Sequence, residues 1–82
     1  MVSHTSFDNL IKQFKEYVPR SEMVDIAALR ASAHLKLKKF KESVYYGEIV
    51  NLKRHGQGIM VYNSDRVYEG HWENDFKHGR GY

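Results

Sequence analysis

The chain has 82 residues, with 13 lysines and arginines against 10 acidic residues, one proline and no cysteine. That length allows at most one domain with a small buried fraction, and the absence of cysteine excludes a disulfide framework or a thiolate metal site. No apolar run approaches the roughly 18 residues of a membrane-spanning helix, and Met1-Val2-Ser3-His4-Thr5 lacks the basic and apolar regions of a secretory signal, so an intracellular location is expected.

The first element in chain order is a helix. Phe7, Leu10, Ile11, Phe14, Tyr17 and Val18 recur at the spacing of one helix face. Thr5 or Ser6 can cap its start, and Pro19 ends it by pushing the preceding residue out of the helical region. A second helix is expected from about Glu22 to about Lys41, capped by Ser21, with Ile26, Leu29, Ala33, Leu37 and Phe40 as its apolar stripe. Together the two make a helical hairpin over residues 1–44, expected to cap or dock the carboxyl-terminal half. This half carries eight basic residues against five acidic ones, whereas residues 45–82 carry five of each. The excess is densest at Lys36, Lys38, Lys39 and Lys41. There it either complements the dipole at a helix end or attracts anionic phosphate.

From Tyr45 the period changes. Tyr68, Gly70 and Trp72 alternate with Glu69, His71 and Glu73, the two-residue rhythm of a strand with one buried and one solvated face. Tyr45, Gly47 and Ile49 show the same face earlier. Ile59-Met60-Val61-Tyr62 is a further strand, and Asn63-Ser64-Asp65-Arg66 supplies turn chemistry. All six glycines lie between Gly47 and Gly81. Tyr45-Tyr46-Gly47 and His55-Gly56-Gln57-Gly58 recur 23 residues later as Tyr68-Glu69-Gly70 and His78-Gly79-Arg80-Gly81, a period that marks a stacked repeat. Gly47 and Gly70 leave room for an aromatic ring to lie across the strand. Gly56 or Gly58 is expected at positive φ where the chain reverses.

The motif Y-x-G-x-W followed by H-G-x-G resembles the MORN repeat. Tyr68 to Trp72 with His78 to Gly81 match it closely, and Tyr45 to Ile49 with His55 to Gly58 match except for Ile49 at the aromatic position. Asp65 stands where that family often has a turn glycine. The resemblance covers residues 45–82 and implies an antiparallel β-meander of about 1.6 repeats, giving an α+β chain overall. It also implies a binding or scaffolding role, often in cytoskeletal, ciliary or membrane-associated assemblies. Residues 30–44 are more weakly similar to the inter-helix region of a tetratricopeptide repeat, which would make Tyr45 to Leu52 helical. The cost of Gly47 inside a helix favours a strand.

Chemistry beyond binding has little support in the residues. His55 and His78 hold equivalent places two strands apart, about 9–10 Å at ordinary strand spacing, too far to share one zinc with nitrogens about 2 Å from the metal. Neither G-x-G leads into a helix pattern, as a phosphate-binding loop would require. Glu69 and Glu73 read as surface charge. No cofactor, nucleic acid or small-molecule substrate is expected, and no enzyme activity. Tyr45, Tyr62, Tyr68, Trp72 and Phe76 are the candidate partner-binding aromatics, either as core or as groove anchors. Lys36, Lys38, Lys39 and Lys41 are the candidates for anionic lipid. Gly47, His55, Gly56, Gly58, Gly70, His78, Gly79 and Gly81 are repeat positions. Tyr82 corresponds to Ile59, so the last hairpin is expected to leave an open edge near Tyr82, which either another protein chain completes or a longer repeat array, of which residues 45–82 are a part, continues.

Overall fold

A computed structural model describes residues 12–64 and 66–82. Its centre is one antiparallel sheet of five strands in sequence order, β1 (Leu35–Lys39), β2 (Ser43–Val50), β3 (Lys53–Tyr62), β4 (Val67–Glu73) and β5 (Phe76–Gly81). The α+β architecture and the meander are those expected, and Tyr45–Val50 is strand rather than helix.

The helical part is smaller than the periodicity predicts. Backbone is helical at 12–15 and again in α1 (Ile26–Ala31). Thr5, Ser6, Phe7, Leu10 and Ile11 lie outside the described residues, as does Asp65. The second helix does not run from Glu22 to Lys41. Asp25, not Ser21, caps α1 by accepting from the Ala28 N–H at 3.1 Å, and Ser32 ends it in extended backbone. Beyond it, Leu35 and Leu37 alternate with Lys36 and Lys38, and this rhythm of two is used to pair β1 with β2. The helical stripe through Leu37 and Phe40 was a competing reading of the same leucines. Ladder hydrogen bonds and burial against Tyr46 override helix propensity.

Chain reversal falls elsewhere than expected. Asn51-Leu52 and Asn74-Asp75 form the tight turns, all four at positive φ, as twist-matched two-residue hairpins require. Gly56, at φ 83°, and Gly79, at φ 67°, sit inside β3 and β5, where the register slips against β2 and β4. Each is part of a β-bulge, in which extra residues on one strand oppose fewer on the other.

Both faces of the sheet are covered. On one, Phe14, Val24 and Leu29 from the amino-terminal segment pack with Val44, Tyr46 and Ile59. On the other, Tyr45, Ile49, Met60 and Trp72 form a second core, flanked by Phe40, Tyr62 and Tyr68. The expectation of one solvated face therefore fails in the middle of the sheet, and Glu69 is completely buried instead of being surface charge.

Candidate functional site

The repeat period has a direct geometric result. Gly47 pairs with Gly58, Gly58 with Gly70, and Gly70 with Gly81, so the glycines form one row across four strands. The Tyr45 ring lies on this row, so that a Cβ at Gly47 or Gly58 would overlap it. Tyr68 does the same over Gly81. Each tyrosine is tied down alike, Tyr45 OH donating to the Glu48 carbonyl at 2.9 Å and Tyr68 OH to the His71 carbonyl at 3.2 Å. Burial, with Glu48 nearby, pushes the Tyr45 phenol above its ordinary range. Trp72 stands edge-on between the two rings, 5.4 Å from Tyr45 and 5.3 Å from Tyr68.

Cations roof this aromatic face. The Arg54 guanidinium lies 4.5 Å from the Trp72 ring centre and 5.2 Å from that of Phe40, which Lys38 also approaches at 5.2 Å. Lys77 sits 4.7 Å above Tyr68 and 5.3 Å from Tyr62. These distances are within cation–π range. Arg54 also staples the two repeats. Its Nε donates to Asp75 Oδ1 at 2.7 Å, its terminal nitrogen to the Asp75 carbonyl at 2.8 Å, and its backbone N–H to the same carboxylate at 3.1 Å. Those side-chain and backbone bonds from Arg54 hold the Asp75 carboxyl below its ordinary value.

The structure thus splits the candidate aromatics. Tyr45 and Trp72 are core, Tyr62 and Tyr68 are half-buried, and Phe76 is 75% exposed. Phe76 pairs with Glu73, so strand alternation puts it on the opposite face from Trp72. The lysines separate as well. With Leu35 and Leu37 packed on the first core, Lys36 and Lys38 project to the aromatic face, Lys39 to the other, and Lys41 lies in the β1–β2 turn. They are not a helix end.

The opposite face holds the contacts that the periodicity does not display. Glu69 accepts from Tyr17 OH at 2.5 Å, from the Arg20 N–H at 2.7 Å and from Ser21 OH at 2.7 Å. Burial pushes its carboxyl up, but these donors together outweigh burial and hold it below the usual value. Tyr17, partly buried and bonded to that carboxylate, is driven above the ordinary phenol range. One period earlier, Tyr46 takes the place of Glu69 and stacks on Phe14 at 4.7 Å and 8°. A tyrosine at Tyr46 was the one available sign that this face is covered. In the bulge at Gly56, Glu48 accepts from the Gln57 N–H and from Ser32 OH, both at 2.8 Å.

His55, His71 and His78 line one shallow depression with Glu48 and Glu73, and His78 Nδ1 lies 3.5 Å from Glu73. Among the described residues no group of three or more ligating side chains is arranged to hold a metal ion. Likewise, no helix among them is long and apolar enough to cross a membrane.

The MORN repeat family model matches residues 45–65 and 68–82. Comparison with curated proteins and with solved structures finds no match. MORN repeats are non-catalytic modules that generally bind proteins or membrane lipids. The duplicated tyrosine-over-glycine packing, the paired bulges and the family match agree, and residues 45–65 and 68–82 match the MORN repeat.

Proposed function

We propose that the chain is a non-catalytic protein–protein interaction module, a scaffolding part of a larger intracellular assembly of cytoskeletal or ciliary kind. The inequality of the two sheet edges supports this reading. The β1 edge has the sequence LKLKK, and lysines are a device by which proteins keep an edge strand from pairing. On the outer side of β5 no strand pairs among the described residues. Phe76, 75% exposed, and Tyr82, 66% exposed, flank that edge. A partner strand adding to β5 would satisfy its backbone groups and cover both rings.

The test joins light scattering with hydrogen exchange on the isolated chain. Self-association, or β5 amides that exchange much faster than those of β3, is the expected result. A cooperative folded monomer with equally protected β5 amides overturns the proposal.

One observation favours a second reading, a peripheral module on anionic lipid. Lys36 and Lys38 share the aromatic face with Arg54 and Lys77, where aromatic rings and cations together suit a headgroup layer. The cluster at Lys36, Lys38, Lys39 and Lys41 would then give vesicle binding that salt weakens and lysine replacement abolishes. Flotation with anionic vesicles at two salt concentrations measures it, and absence of binding removes this reading.

A further inference from the structure

The two bulges have the same backbone and different contents. In the first, Glu48 opposes His55, Gly56 and Gln57, between the Gly47–Gly58 and Ile49–Arg54 pairs. In the second, His71 opposes His78, Gly79 and Arg80, between the Gly70–Gly81 and Trp72–Lys77 pairs. The correspondence holds residue by residue at 23 positions' offset, down to the positive φ of Gly56 and Gly79.

The first bulge is filled. A Cβ on Gly56 would meet the Glu48 carboxylate, which accepts from the Gln57 N–H and is steadied by Ser32 OH, both at 2.8 Å. The second is open. At the matching place stands His71, an exposed side chain, and apart from the two chain neighbours nothing among the described residues lies within 4 Å of a Cβ built on Gly79. The depression of about 430 Å³ lies between the two bulges, with Glu48, Gly56 and Gln57 of the first on one side and His71, Glu73 and His78 on the other.

We propose that the bulge at Gly79 is a carboxylate-binding site, filled by an acidic side chain of a partner polypeptide. The ligand class follows from the first repeat, where the same backbone cradle holds a glutamate. The entering carboxylate takes the place of the Glu48 group against the backbone at Gly79 and Arg80. A neutral imidazole offers one N–H donor, so His71 and His78 can add hydrogen bonds from the rim. Glu73 is the opposing charge on that rim, and it lies 3.5 Å from His78. The proposal deepens the interaction-module reading and rests on it, because the carboxylate is a partner's.

The test is an amide-resolved NMR titration of the whole chain with sodium acetate, against sodium chloride at equal ionic strength. Saturable acetate shifts are expected at the Gly79 and Arg80 amides, while those of Gly56 and Gln57, already served by Glu48, stay still. H71E should place a carboxylate in the bulge from within the chain, raise the melting temperature and weaken acetate binding roughly tenfold, the worth of one charge-assisted hydrogen bond. H71A removes one rim donor but leaves the bulge open, and should weaken the response much less than H71E does. A capped peptide with a single glutamate should compete with acetate, and its glutamine counterpart should not. Equal shifts in chloride, or an acetate response untouched by H71E, overturns the site. Because acetate needs no partner, that failure leaves the edge-pairing proposal standing. Acetate binding beside a fully protected monomeric β5 sinks the module reading alone.

Discussion

Gly58 shows how a single residue sets the packing of a repeat. Its backbone is in the ordinary extended region, so positive φ is not why glycine stands there. The reason is the Tyr45 ring, which lies where a Cβ would be. Gly58→Val should therefore cost about 3 kcal/mol, the upper end of overpacking a filled core. Gln57→Val removes the acceptor of the Asp25 N–H, 2.6 Å from Gln57 Oε1, and should cost about 1 kcal/mol. Urea melts of the two variants measure the difference, and equal losses would mean that the tyrosine does not rest on the glycine row. The positive φ expected at Gly56 or Gly58 falls on Gly56, and at Gly58 the reason for glycine is steric.

At the scale of elements, the hairpins are joined by more than their ladders. Arg54 on β3 reaches the turn between β4 and β5, where Asp75 accepts its side chain and backbone, while its guanidinium covers Trp72. Asp75→Asn keeps the turn, because asparagine tolerates positive φ, but it loses the charge. Arg54→Ala loses both the bonds and the stacking. A double-mutant cycle should give a coupling of about 1–2 kcal/mol, above that of an exposed ion pair. Additive losses would show that the Arg54 and Asp75 side chains do not couple the two hairpins. Nothing in the repeat motif announced this pair, since Asp75 falls one period after Leu52 and Arg54 one period before Lys77.

At the scale of the whole molecule, a buried charge joins distant segments beside the apolar core. Glu69 gathers Tyr17, Arg20 and Ser21, and so fastens the amino-terminal segment to the sheet. Its carboxyl is held below the ordinary 4.5, so the folded state binds fewer protons than the unfolded one as pH falls past that value. Its contribution is complete above about pH 4.5 and is lost as pH drops through the depressed folded value. Asp75, also depressed, acts in the same direction. Thermal melts from pH 7 to pH 3 should fall steeply for the native chain. Glu69→Gln, which turns an acceptor into a partial donor facing three donors, should cost about 2 kcal/mol at pH 7 and show a shallower acid limb. Parallel acid limbs would mean that Glu69 is not the group that titrates.

Local chemistry alone determined the repeat. The tyrosine–glycine spacing, the histidine–glycine pairs and the change of period at Tyr45 specify the strands and their pairing, because each depends on residues within one hairpin of each other. The repeat glycines were therefore legible beforehand, whereas the reversal points and the split of the aromatics between core and surface were not. What tertiary structure decided lies between distant segments. Leu35–Lys39 satisfies helical and strand rhythms alike, and only the presence of β2 beside it selects the strand. Glu69 has the alternation of a surface residue, and only the arrival of Tyr17, Arg20 and Ser21, about fifty residues earlier in the chain, makes it the most deeply buried charge among the described residues. Periodicity records which way a side chain points, whereas burial depends on what comes to cover it.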